Sequence, residues 1–552
     1  MSPQAKHTTA GRSNGYASRH RTGTFRLALA GVAALLLLSP SPSTTSSIAF
    51  GQATRADVLL EGGTIYDGTG SEGVVGNVAL RGDRIVAVGR FESGEVGRTI
   101  DCKGLVIAPG FIDLHTHTDR PILQEKTRDN LNYLTQGCTT VVTGNCGGGP
   151  VDVGDLLDKV DEKGAGSNII HLVPHGAVRA RVMKSENRAP TPDELEQMKQ
   201  LVDQGMRDGA WGMSTGLIYV PGIFAQTDEI VELAKVVASH GGLYVSHIRD
   251  EGDKLLEAVA EAIEIGRQAK VPVHISHFKT CGVSNWGKIR DAVRMIEEAR
   301  RDGVTVTADQ YPYVATSTSL VDTLMRATDI PGGRKDLFKR MDADPALEQA
   351  VRKVVEGGLK KTRKVVIVSC KKHPHWAGMS VKQIADEQGV DVIDQVLRIQ
   401  RDGGASVVNF SLCEEDVRYV MSVPWVATGS DGSAIFPNPK ACPHPRSFGT
   451  FPRKIGHYAR AEKVLSMARA IRSATGLPAD VLHLADRGYL RPGAHADVVV
   501  FDPETFIDRA TFEDSQQYAT GVKHLFIAGK SALEDGKLGE ALHGRSIRHR
   551  SP

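Results

Sequence analysis

The 552-residue chain is short of cysteine, short of net charge and almost without long apolar runs. Seven cysteines are too sparse for a disulfide scaffold, and their odd number leaves at least one free, paired between chains or bound to a metal. Charge nearly cancels, with 67 Lys and Arg against 65 Asp and Glu. The excess of +2 belongs to the head of the chain: residues 1–53 hold Lys6, Arg12, Arg19, Arg21, Arg26 and no acid, so the remainder carries −3. A nucleic-acid binder needs a basic face for phosphate contacts, and that remainder offers no excess of positive charge to build one. Hydrophobic residues at 41%, with 58 glycines beside them, are ordinary for a globular protein and fit poorly with disorder, collagen or a coiled coil.

The one long apolar run, residues 27–38 (LALAGVAALLLL), follows a basic stretch ending at Arg26. Twelve helical residues rise only about 18 Å, against roughly 30 Å for a bilayer core. A Ser/Pro/Thr-rich stretch and Gly51-Gln52-Ala53 come next, with small residues where a signal peptidase cuts. Residues 1–53 therefore read as a cleaved secretory signal, with an uncleaved anchor as the alternative. The expected mature protein is exported, periplasmic or extracellular, with no stable membrane span after cleavage. There is no twin-arginine pair, because His20 separates Arg19 from Arg21.

Strand patterns at 56–66, 75–81, 84–88 and 104–108 are separated by turns such as Asp67-Gly68 and Gly82-Asp83. Similar patterns return at 496–501 and 522–528. The two ends are expected to form one small β-sandwich domain, from residues 54–108 and 486–552. Between them, residues 109–485 repeat a unit of apolar strand, polar loop and amphipathic helix. Strands are expected at 111–117, 139–146, 168–174, 211–215, 243–247, 273–277, 304–309 and 425–430. Thr191-Pro192-Asp193-Glu194 is a capping box with proline at the first helical position, and Thr227 opens another helix that Gly241-Gly242 stops. Eight such strands fit an eight-fold β/α (TIM-like) barrel, with an open sheet as the alternative. The long stretch before the last strand, about 314–400, is an insertion and a candidate lid.

The chemistry-bearing residues fall at strand ends. His115 and His117 are two apart, so both rings are expected to face the barrel interior, where neutral imidazoles can share a divalent cation. A satisfied core histidine is the bland reading of either ring. Cys146 closes the second strand in Gly144-Asn145-Cys146-Gly147-Gly148-Gly149; no Gly-Lys-Ser/Thr follows, which excludes a P-loop. An inert thiol and a soft zinc ligand both remain open for it. His247 and His277 end successive strands thirty residues apart, one β/α unit, whereas His274 points the other way by parity and reads as structural. Asp431, before Gly432, is either a turn residue or a carboxylate at the active face. The set suits one tightly held zinc or a two-metal site, with Asp431 as acceptor of a water proton. No Gly-x-Ser-x-Gly elbow and no dinucleotide fingerprint competes.

These segments resemble the amidohydrolase superfamily and, within it, the D-aminoacylases (N-acyl-D-amino-acid deacylases), from about residue 56 to 537. PGFIDLHTHTD (109–119) and RPGAHADVVVFDP (491–503) are similar to the superfamily at large. GNCGGG (144–149), GMSTGLIYVPG (212–222), SHIRDEG (246–252), ISHFK (275–279), ADQYPY (308–313), GSDG (429–432) and HPRSFGTFPR (444–453) are similar to the narrower group. Many relatives carry a carboxylated lysine on the fourth strand; here that strand has none, and Cys146 marks the D-aminoacylase pattern. The resemblance implies Cys146, His247 and His277 as principal zinc ligands. His115, His117 and Asp431 complete a second, weaker divalent position, and Asp431 is general base and then acid. Arg446 matches the arginine for the substrate carboxylate, with a surface arginine as its alternative. Tyr219, Tyr311 and Ser317 match substrate-contacting positions, with core or loop packing as theirs. Lys279 and Arg249 add positive potential or form ion pairs. The expected reaction is zinc-dependent hydrolysis of a small N-acyl-D-amino acid to a carboxylate and a free D-amino acid. Alternatives are a cyclic amidohydrolase of the hydantoinase or dihydroorotase type and a non-catalytic exported metal- or ligand-binding protein.

Overall fold

The computed structural model describes residues 54–550, so the expected signal segment 1–53 lies outside the described residues. Strands from the two ends share one nine-stranded sheet. Its seam is Val106–Pro109 running antiparallel to Val498–Phe501, with Val106 opposite Phe501 and Pro109 opposite Val498. Alternate residues serve two cores: Leu59 and Ala79 pack on one face, Leu60, Val78 and Leu80 on the other. One strand, Ser93–Asp101, has no counterpart in the sequence expectation. It pairs with Thr54–Ile65, but its residues are almost all exposed, so no apolar alternation announces it.

The centre is the expected barrel. Its strands are Phe111–Asp113, Cys138–Thr143, Asn168–His171 continued by Val173–Pro174, Gly212–Gly216, Leu243–His247, Val273–Ile275, Val306–Gln310 and Val426–Thr428. Neighbours pair in parallel. The ring is closed by a parallel bridge between Thr116 and Gly432, with Asp431 N donating to His115 O at 2.8 Å and His117 N to Gly432 O at 2.7 Å. Covered on both faces, a strand such as Cys138–Thr143 is buried at every position. The helices begin where the sequence marks them. Thr191 Oγ1 accepts from Glu194 N while Glu194 Oε2 accepts from Thr191 N, and the helix Pro192–Arg207 then buries Met198, Val202 and Met206.

Several strands are shorter than the pattern predicts. The first stops at Asp113, the sixth at Ile275 and the eighth at Thr428, so His115, His277 and Asp431 stand just beyond the ladders. The chain turns sharply there: Cys146, His277 and Asp431 have φ of 52°, 36° and 52°. That left-handed backbone is costly for residues with a Cβ and clusters at functional sites. The insertion before the last strand is a folded unit. A three-stranded antiparallel sheet of Thr316–Ser319, Ser406–Phe410 and Lys364–Ser369 is packed by helices Pro345–Lys360, Val381–Gln388 and Val392–Arg401. It runs to Phe410 because its central strand lies beyond residue 400 in sequence.

Candidate active site

The loop that carries Cys146 rests on the end of the fourth barrel strand. Ser214 Oγ donates to Gly144 O and accepts from Gly147 N, and a Cβ on Gly216 would lie 2.1 Å from the carbonyl oxygen of Cys146. The strand end that carries no lysine thus serves as a platform holding the cysteine loop at closest backbone approach.

Three imidazoles surround that sulfur. Cys146 Sγ lies 3.3 Å from His115 Nε2, 3.4 Å from His247 Nδ1 and 3.6 Å from His277 Nε2. A tetrahedral zinc with ordinary Zn–S and Zn–N bonds would place such atoms about 3.5 Å apart, so the donor set fits a divalent metal. The potential ligand atoms form three overlapping groups, each within 4.8 Å: His115, His117 and Cys146; Cys146, His247 and His277; His115, His277 and Asp431. Cys146 belongs to two of them, which gives room for a shared ligand between two positions.

Asp431 faces both ways. Its Oδ1 is 3.0 Å from His117 Nε2 and 3.6 Å from His115 Nε2, while Oδ2 is 2.7 Å from Arg446 NH1. Burial alone would raise its pKa; Arg446 and His277 more than reverse this and hold the carboxyl well below the usual range. Burial, reinforced by Asp431, pushes the Cys146 thiol up instead. A bound cation would reverse that by supplying positive charge to the sulfur.

Arg446 is 7% exposed, which rules out the surface-arginine reading. Its NH2 donates to Ser317 O at 3.3 Å, and its guanidinium lies over the Tyr311 ring at 5.0 Å. NH1, although close to Asp431, makes no hydrogen bond of good geometry. Tyr219 packs edge-on against His247 with centroids 5.0 Å apart, and its hydroxyl accepts from Thr318 of the inserted unit. Tyr219, Ser317, Asp431, His117 and Arg446 all line one cavity of about 530 Å³ beside Cys146. Tyr311 does not line it; it backs Arg446, with a buried hydroxyl that has no partner.

Further polar groups surround the site. Glu251 Oε1 reaches Lys279 Nζ at 2.5 Å and His277 Nδ1 at 2.9 Å; burial raises its pKa, and Lys279 and His247 pull it well below the ordinary value. Lys279 Nζ also lies 2.7 Å from His277 Nδ1. Asp309 accepts from His277 N and binds His274, with His115 Nδ1 at 3.4 Å. Asp113 accepts from the amides of His115 and Ser430, and burial raises its carboxyl to about 7. His274 is indeed occupied structurally, by Thr307 and Asp309. Arg249 is likewise tied to Glu261 and to carbonyls of Ile223 and Ala225. Glu251, Asp309 and Asp113 all lie inside the motifs above, and an acid within a buried strand-end sequence is the signal that marks them. All seven cysteines are free.

The sequence profile of the Amidohydrolase family matches residues 98–359 and 380–532. The chain is 36% identical over 504 residues to a D-aminoacylase of Alcaligenes xylosoxydans xylosoxydans, covering 87% of this chain and 95% of the relative. It is 33% identical to an N-acyl-D-aspartate deacylase of the same organism, covering 89% and 95%. Among solved structures it resembles an N-acyl-D-glutamate deacylase of Bordetella bronchiseptica complexed with zinc and a phosphonate mimic of the tetrahedral intermediate. That likeness has a TM-score of 0.76 at 31% identity, over 89% of this chain and 100% of the other. The chain belongs to the amidohydrolase family and, within it, to the D-aminoacylases, metal-dependent enzymes acting on linear amides.

Proposed function

We propose that the enzyme uses zinc held by Cys146, His247 and His277 to hydrolyse N-acyl-D-amino acids to a carboxylate and a free D-amino acid, with Asp431 as the acid–base group. The observation that carries this reading is the position of Asp431, one oxygen beside His117 and His115 and the other beside Arg446. Zinc held by Cys146, His247 and His277 would supply Lewis acidity for the scissile carbonyl and make a water easier to deprotonate near neutral pH. Asp431, kept ionised by Arg446, accepts the proton of the attacking water and returns it to the amine nitrogen as the C–N bond breaks. Arg446 offers its planar fork to the α-carboxylate, with Tyr311 bracing it from behind and Ser317 holding NH2. Tyr219 borders the reacting amide. His115 and His117, with Asp431, provide the second, weaker divalent position.

The solved relative that binds zinc with a mimic of the tetrahedral intermediate supports this assignment. The basic head and apolar run of residues 1–53 support export to the periplasm or the medium. No helix among the described residues is long and apolar enough to cross a membrane.

The test is turnover of matched N-acyl D- and L-amino acids, with metal content measured on the same preparation. Hydrolysis confined to the D-series by a zinc-loaded enzyme is expected. Activity on cyclic amides such as hydantoins, with none on the linear panel, would overturn the reading.

A further inference from the structure

Asp431 and Arg446 are carried by different elements. The backbone of Asp431 and Gly432 is bonded to the first barrel strand, whereas Arg446 begins the helix Arg446–Pro452. The loop 433–445 between them contains neither helix nor strand. What ties the two together comes from the side, from the short helix Leu131–Leu134 and the turn after it. Asn132 Nδ2 donates to Ser433 O at 3.0 Å and to Ser447 O at 2.6 Å, and its Oδ1 accepts from Ile435 N at 3.4 Å. Gln136 Nε2 donates to Asn132 O at 2.7 Å and to Ser447 O at 3.0 Å, while its Oε1 accepts from Phe451 N at 3.3 Å. Asn132 is 1% exposed and Gln136 is fully buried. Two carbonyls at each nitrogen and one N–H at each oxygen match the donors and acceptors of a primary amide. The two backbones also meet closely: Ser433 N donates to Ser447 Oγ at 3.2 Å, and a Cβ on Gly432 would lie 3.0 Å from Ser447 Cα.

We infer that Asn132 is a positioning residue: its side-chain amide clamps the segment after Asp431 to the helix that carries Arg446, and so sets the spacing of the proton acceptor and the carboxylate-binding guanidinium. This rests on the deacylase reading above. Without substrate, Arg446 NH1 lies 2.7 Å from Asp431 Oδ2. During turnover the guanidinium holds the α-carboxylate while Asp431 reaches the water, so the two side chains need anchors independent of their mutual attraction. Asn132 is bonded to both segments, whereas Gln136 reaches only the helix of Arg446. Leucine in place of Asn132 fills a similar volume but leaves Ser433 O without that donor and Ile435 N without that acceptor. A shift of about 1 Å in a group that positions substrate costs on the order of 100-fold in rate.

The experiment measures kcat and KM of wild type, Asn132→Leu and Gln136→Leu on the best substrate of the panel above, with zinc content and amide hydrogen exchange on the same preparations. Asn132→Leu is expected to raise KM about tenfold and to lower kcat about tenfold, with zinc retained. Gln136→Leu, which loosens the arginine side alone, is expected to raise KM while kcat stays within about threefold of wild type. Exchange in segments 432–436 and 446–451 of Asn132→Leu is expected to rise together, with the barrel strands unchanged. If Asn132→Leu is not recovered folded, Asn132→Ser carries the same expectations, because its smaller side chain lets water satisfy the freed groups. Unchanged kcat and KM overturn the inference, as does a fall in kcat with KM unchanged in both variants, the result of simply losing folded enzyme. Unchanged exchange in the two segments overturns it as well. A wild-type enzyme without turnover on the panel, with the coupled rise in exchange still present in the variant, overturns the deacylase reading and leaves the clamp standing.

Discussion

At the barrel mouth, Asp113, His115, Asn145, His247, Ser276, Tyr311 and Arg446 each keep a buried polar atom without a hydrogen-bond partner, whereas among residues 316–410 only Gln395 and Gln400 do so. Strain divides the same way. Cys146, His277 and Asp431 turn through left-handed backbone at the mouth, against Asp336 alone among the non-glycine residues of the inserted unit. The unit instead packs Val351, Val355, Ile367, Ile384, Val396 and Ile399 to complete burial. The barrel thus spends stability on groups aimed at something other than the protein, while the insertion is assembled by ordinary apolar packing. The two regions should therefore fail differently when altered.

The largest effect is expected at the mouth. Asp431→Asn keeps the shape but removes the proton acceptor, so turnover should fall by about 10³-fold or more. The zinc assigned to Cys146, His247 and His277 should be retained, while the second position, which uses Asp431, weakens and the buried Arg446 loses its charge partner. Retained turnover in a steady-state assay would remove Asp431 from the chemistry. Cys146→Ala comes next: it deletes the atom shared by two ligand groups, and elemental analysis should find metal affinity at least about tenfold weaker. Unchanged stoichiometry would refute its place as a ligand.

The inserted unit should show the opposite pattern. Ile384 is fully buried in its core, so Ile384→Ala should cost about 2–5 kcal/mol in chemical denaturation. Metal content at low temperature should be unaffected. Loss of metal together with stability would mean that the two regions fold as one cooperative block.

How much of this could be read from the sequence follows the same division. His115, Cys146, His247, His277 and Asp431 were readable because each follows a run of apolar strand residues and the period of the barrel repeats between them. Glu251 and Asp309 carry only the weaker signal of an acid inside a strand-end motif, because neither is next to a histidine in sequence and only the fold brings both onto His277. Strand parity separates His274, which binds Thr307 and Asp309, from His277, although the strand ends at Ile275 and the backbone turns at His277. In the insertion, apolar periodicity marks the helices, but the pairing of Ser406–Phe410 with both Thr316–Ser319 and Lys364–Ser369 depends on contacts up to about ninety residues apart. The π-helix Arg453–Ala461 left no mark in the pattern, since its period is set by packing against its neighbours.

That π-helix extends the contrast beyond the mouth. Lys454 is 1% exposed and its Nζ has no hydrogen-bond partner. Burial, with Arg469 nearby, lowers its pKa from 10.5 to about 7. Between those values the unfolded chain binds the extra proton, so this residue makes stability rise with pH across that window. Below about pH 7 it is charged in both states and its full penalty is present. Lys454→Met should therefore raise the melting temperature most at or below neutral pH, and the gain should vanish as pH approaches 10.5. A gain independent of pH would point to packing alone.

The smallest effect should come where the two regions touch. Arg326 of the insertion pairs with Asp250 at 2.7 Å, and Lys361 with Asp253 at 2.6 Å, so both neighbours of the Glu251 segment are anchored to the inserted unit. Glu251 has its own supports in Lys279 and His277, and Asn285 holds Asp253 independently at 2.8 Å. The Arg326 and Asp250 side chains are 31% and 18% exposed, which limits the pair to about 1 kcal/mol after solvent screening. Arg326→Ala should thus shift the denaturation midpoint slightly and change metal affinity, measured in a metal-buffered titration, by less than about threefold. A loss approaching the 10- to 100-fold range expected for groups that orient metal ligands would make the insertion part of the metal centre's support. The contrast between a strained mouth and a self-contained insertion would then have to be redrawn with its boundary at the segment carrying Glu251.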